Sequence, residues 1–118
     1  MQLEALKLIE DIRDAAEFAL EATGDLNLND YLENRLVRQA VERNLQIIGE
    51  AANKLNKLAP DVAERIGDIA RIVAFRNILV HGYDMLDHEI VWQVVQDELP
   101  TLVERSKELL SKGPGLDQ

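Results

Sequence analysis

Between residues 75 and 84 the chain reads FRNILVHGYD, which sets Arg76, Asn77, His81 and Tyr83 among apolar neighbours. Arginine holds a phosphate through a planar fork of donors and stays charged, whereas histidine titrates near neutral pH and moves protons. Together they form half of a phosphodiester-cleaving site. RNA carries its own nucleophile, the 2′-hydroxyl, so its cleavage needs a base, an acid and a phosphate holder, but no metal or other cofactor. One chain offers His81 as a single proton carrier here. A two-fold dimer that brings two copies of His81 together would supply both.

Such chemistry needs a scaffold that aims these side chains. On a helix Asn77 and His81, four residues apart, share a face, whereas Arg76 and His81 lie about 140° from each other. One ligand meets both only if it lies across the helix end, which Gly82 leaves open, with Tyr83 returning toward the same place. The bland alternative is that Arg76 is a solvated charge and His81 a satisfied polar residue.

The scaffold reads as helices throughout. From Leu3 to Glu21 the apolar positions Ala5, Leu8, Ile9, Ile12, Ala16, Ala19 and Leu20 recur at three and four, and Thr23-Gly24 ends that helix. A second helix is expected from about Asp30 to Leu58, with apolar residues over an arc of about 160°, wider than the ~100° that one core contact needs. The surplus points to a second contact surface, within the chain or on another subunit. Asn44 falls at the centre of that arc and calls for a partner across a helix contact or interface. Pro60 and Asp61 open a short helical turn, a third long helix begins near Ile69 and ends or kinks at Gly82, and Asp87 caps a fourth running from His88 to about Ser111. Pro100 predicts a bend in it between Gln96 and Pro100. The expected fold is all-α: an up-and-down bundle of four long helices plus a short extra turn.

The chain has 118 residues and 13.3 kDa, 47% of them hydrophobic and 30% charged, which fits one domain over 1–112 and a flexible tail over 113–118. Absence of cysteine removes disulfides and thiolate chemistry. The first residues have neither the apolar run of a membrane span nor the pattern of a signal peptide, so a cytoplasmic protein without membrane contact is expected. A net charge of −9 argues against a broad nucleic-acid surface, so any RNA contact must be local. Arg35, Arg38 and Arg43 could relieve that charge, but surface ion pairs with Glu42 and Glu33 are the commoner fate.

Two rivals compete with RNA cleavage. Asp84, Asp87, His88 and Glu89 suggest a metal, yet carboxylate sites in bundles use Glu-x-x-His, which this chain lacks. Asp84 instead reads as turn chemistry and Asp87 as a helix cap, with His88 and Glu89 exposed beside it. The other rival is a non-catalytic helical adaptor that dimerises and binds a partner protein, with Trp92 as an anchor. Packing of Trp92 in the fourth-helix core is the simpler expectation.

The run of Arg76, four residues, His81, one residue and Tyr83 resembles the signature of HEPN-domain ribonucleases. Together with ERNLQIIGEAANKL on the second helix and IVWQVVQDELPTL on the fourth, the chain is similar to their HepT-like toxin branch over nearly its whole length. The resemblance implies a homodimeric helical bundle whose two motif copies line an interface cleft and cut RNA without a metal or other cofactor. It assigns Arg76 and His81 to catalysis and Asn77 to the polar position beside the arginine, in contact with substrate. It further implies a type VII toxin–antitoxin pair, in which a minimal nucleotidyltransferase antitoxin of the MntA type silences the toxin by AMPylating the motif tyrosine, here Tyr83.

Overall fold

A computed structural model describes residues 1–112, and the expected tail over 113–118 lies outside them. All regular structure among the described residues is helical. In chain order the elements are α1 (Leu3–Thr23), α2 (Leu28–Glu33), α3 (Arg35–Leu58), α4 (Pro60–Ile66), α5 (Ile69–His81), a 3-10 turn (Tyr83–Met85), α6 (His88–Asp97) and α7 (Leu99–Lys112).

The centre is the contact of α1 with α3. Alanines at 5, 15, 16 and 19 on α1 and at 51 and 52 on α3 are buried, and their small side chains let the two backbones approach closely. Ile9, Ile12, Val41, Ile48 and Leu55 fill the space between. α7 covers the other flank of α1 with Leu99, Leu102 and Leu109. The buried hydroxyls of Thr23 and Ser106 donate to carbonyls of their own helices, Ala19 at 2.9 Å and Leu102 at 2.8 Å, so neither of these costs an unpaired group.

The expected second helix is two helices. Asn34 leaves helical geometry at φ −108°, ψ 92°, and its side chain accepts the Val37 N–H at 3.0 Å, which caps α3 while α2 ends on the same residue. The chain therefore turns, and α2, started by an Asn27–Asp30 capping box, folds back toward α6 and buries Tyr31 completely. The fourth helix is broken rather than bent. Pro100 cannot donate to the preceding turn, so it sits in the first turn of α7, where no donor is needed, and Glu98 separates α6 from α7. Trp92 packs on the core as expected, its ring 5.3 Å from that of Tyr31.

Asn44 does not reach across a helix contact. It donates to the Ala40 carbonyl of its own helix at 2.8 Å, because the i−4 carbonyl is the nearest acceptor for a half-buried amide. The expected arginine–glutamate pairs do not form either. Arg38 donates to the Leu32 carbonyl at the open end of α2, and Arg43 donates to Gln46 at 3.3 Å. A free carbonyl at the end of α2 and an amide one turn along α3 outcompete exposed carboxylates, whose pairing gains little in water.

Candidate active site

α5 carries Arg76, Asn77 and His81. Asp68 caps it, accepting the Arg71 N–H at 3.2 Å, and Gly82 closes it by donating to the Ile78 carbonyl at 2.9 Å. The helix is apolar nearly all round, yet Leu79 is its one fully buried residue. Ile78 is 52% exposed, and past the helix Tyr83 and Met85 are 72% and 83% exposed. Covering a large apolar side chain is worth about 1.5–3 kcal/mol, so this exposure forgoes several kcal/mol in the single chain.

The register of α5 on α3 is set by a glycine. A Cβ placed on Gly49 would collide with Cβ of Arg76 and come within 2.6 Å of its Cγ, so only glycine admits the stem of this arginine. The stem is thereby held against α3, and the Arg76 Nε–H is buried with no partner among the described residues. Three residues before Gly49, Gln46 donates its amide at 3.5 Å to the carbonyl of Leu79 in the last turn of α5, where helix carbonyls lack intrahelical partners.

Beside α5, between it and the α6–α7 pair, runs a groove of about 670 Å³. Leu45 and Ile48 of α3 lie along it, with Phe75, Arg76 and Ile78 on one wall and Ile90, Val94 and Leu102 on the other. Arg71 and Glu98 join the walls at one end through a 2.8 Å ion pair. His81 does not line the groove: it is exposed at the terminus of α5. One chain thus keeps the cation and the proton carrier on different sides of one helix, as a five-residue separation requires. Asn77 is exposed between them, and the Tyr83 ring projects from the 3-10 turn into solvent.

The residues following the motif divide as expected except for one. Asp87 caps α6, accepting the N–H groups of Glu89 at 3.0 Å and Ile90 at 3.4 Å. His88, expected in solvent, is instead half-buried, with Nδ1 3.5 Å from Oε2 of Glu42 on α3. Burial raises the Glu42 carboxyl above the ordinary glutamate range, while His88 and Arg38 draw it back down. The sequence reading gave Glu42 only a surface ion-pair role and gave Gln46 and Gly49 no role of their own, although their spacing of four and three on a helix marks one stripe.

An all-α fold whose exposed apolar helix carries Arg76 and His81, with Tyr83 just past its end, fits one class, that of HEPN-type proteins. The chain belongs to the ribonuclease HepT-like family, whose model matches residues 3–109. It is similar to a protein of Methanocaldococcus jannaschii described as a candidate RNase, with 34% identity across 78% of this chain and 84% of that one. A protein of Thermococcus cleftensis named a probable ribonuclease HepT is also 34% identical, over 80% of this chain and 84% of its own length. A candidate RNase of Caldanaerobacter subterraneus shares 29% over 88% and 92%. No solved structure matches the chain significantly. No helix among the described residues is long and apolar enough to cross a membrane.

Proposed function

We propose that the chain is a metal-independent endoribonuclease whose site is completed by a second copy of itself. The observation that carries this reading is the separation of Arg76 from His81 around an apolar helix whose outer face is left open. Pairing two such faces would place the ends of two α5 helices together and supply two His81 side chains to one phosphodiester. One would take the proton of the 2′-hydroxyl and the other would protonate the leaving 5′-oxygen. Arg76, its stem fixed by Gly49, would neutralise the phosphate as negative charge builds on its oxygens. Asn77, exposed one residue on, would hold the substrate beside it.

The substrate is RNA, tRNA or mRNA, and the setting is a toxin–antitoxin pair in the cytoplasm. The exposed hydroxyl of Tyr83 suits an acceptor for AMP delivered by a minimal nucleotidyltransferase antitoxin, since a group attached two residues past His81 would block RNA entry. The relatives' names and the family match support the ribonuclease reading, and the exposure of Tyr83 supports its modification.

Incubation of the unmodified protein with end-labelled RNA in excess EDTA tests the activity. The wild type should cut and His81→Ala should not. Cleavage that EDTA abolishes, or that survives His81→Ala undiminished, would refute the mechanism. Absence of cleavage by either protein would favour a helical adaptor instead. Co-expression with the nucleotidyltransferase should raise the mass of the wild type by one or more AMP groups and leave Tyr83→Phe unchanged.

A further inference from the structure

His88, the second histidine, has no part in that chemistry. Its Nδ1 is buried within ion-pair range of Glu42 yet not aligned as a hydrogen bond, and the hydroxyl of Tyr31 on α2 is also buried without a partner. Burial and the charge of Glu42 push the Tyr31 hydroxyl up, and His88 and Arg38 draw the burial-raised Glu42 carboxyl back down, so α2, α3 and α6 meet at a polar cluster on the edge of the apolar packing, where the His88 side chain keeps 37% exposure. Incompletely paired polar groups cost free energy, and an apolar contact would hold three helices as well or better. Stability alone does not explain the cluster.

Its position does. Glu42, Gln46 and Gly49 form one stripe on α3, and each receives a different piece of the segment that bears the site. Gly49 receives the stem of Arg76, Gln46 the carbonyl of Leu79, and Glu42 the imidazole of His88. Leu86 packs partly buried against the core, but between Leu79 and Leu86 the 3-10 turn buries no side chain. Its backbone bonds are local, Met85 N–H to Gly82 at 2.9 Å and Leu86 N–H to Tyr83 at 3.3 Å, so they shape the turn without fastening it to the bundle.

We infer that Glu42 and His88 are positioning residues for the Arg76–Tyr83 segment: by tying the start of α6 to the stripe of α3 that already holds Arg76 and the end of α5, they fix both ends of the Tyr83 turn and the direction of His81. The catalytic part of this inference rests on the RNA-cleaving reading; the mechanical part does not.

Two measurements on Glu42→Gln, His88→Asn and the double variant separate them. Amide hydrogen exchange over residues 82–87 should be faster in each variant than in the wild type, with exchange in α1 and α7 unchanged. In steady-state RNA cleavage, kcat should fall about tenfold while KM stays within about twofold, as for misdirected catalytic groups. The double variant should be no worse than the worse single one, because the pair acts as a unit. Unchanged exchange over 82–87 in both single variants would overturn the inference, as would kcat matching the wild type's. If the wild type cuts no RNA yet exchange responds as described, the tether stands and the ribonuclease reading falls.

Discussion

At the scale of single residues, labour would be divided between groups that touch RNA and groups that aim them. Removing a positioned proton carrier costs about 10²–10⁴ in rate, so His81→Ala should lose at least that much cleavage with little change in melting temperature, since the side chain is exposed. In Gly49→Ala, alanine favours a helix by about 1 kcal/mol over glycine, but the new methyl would overlap the Arg76 stem, and overpacking of this kind costs about 1–3 kcal/mol. A lower denaturant midpoint together with weakened cleavage is expected; a gain in stability would show that the close approach of α3 to Arg76 is not required. Glu42 supplies a pH test. Tyr31, Arg38 and His88 face its carboxyl, and burial raises its pKa above the unfolded value. The folded chain thus binds that proton more tightly, so Glu42 favours folding at acid pH and loses that contribution as pH rises through the raised pKa. Relative to wild type, Glu42→Gln should therefore be at its most stable in mildly alkaline buffer and fall behind in acid. Denaturant midpoints at both pH values check this, and a loss of stability largest at alkaline pH would contradict it. Arg76, His81 and Tyr83 were visible in the sequence as candidates because polar groups stand out in and just past an apolar helix. Gly49, Gln46 and Glu42 were not, because their meaning exists only once α3 and α5 pack.

At the scale of elements, apolar periodicity located every major helix, and caps decided where they break. The period runs through Asn34 and Glu98 without interruption, from Leu32 to Leu36 and from Val95 to Leu99, so spacing alone predicts two long helices where there are four. The Asn34 side chain and the missing N–H of Pro100 make the difference, and both act locally. The break at Asn34 in turn sends α2 back to bury Tyr31, a tertiary consequence that no local pattern contains. Asp87 tests the element that carries the site. Its side chain satisfies two N–H groups of α6, so Asp87→Ala should cost about 1 kcal/mol and loosen the turn before it. The expected signature is a modest fall in melting temperature and faster proteolysis between Gly82 and His88. A melting temperature unchanged from wild type would mean that α6 is held by packing alone.

At the scale of the whole molecule, the open question a single chain poses is what covers α5. Its exposed Ile78 and the facing Ile90 would be buried by a second copy of the same face, and a self-complementary contact would also bring two His81 together. Ile78→Glu should then yield a monomer by light scattering and abolish cleavage while leaving the fold intact, because the side chain is half in solvent already. The strong negative charge of the chain fits this arrangement, since substrate contact would be confined to one cleft rather than spread over the surface. The most direct measurement is cleavage by a purified heterodimer of one wild-type and one His81→Ala subunit, isolated through two different tags and assayed in EDTA. If both histidines serve one phosphodiester, the heterodimer should be as inactive as the His81→Ala homodimer while the wild-type dimer cuts. Half the wild-type activity in the heterodimer would show that each chain carries a complete site, and would contradict the account.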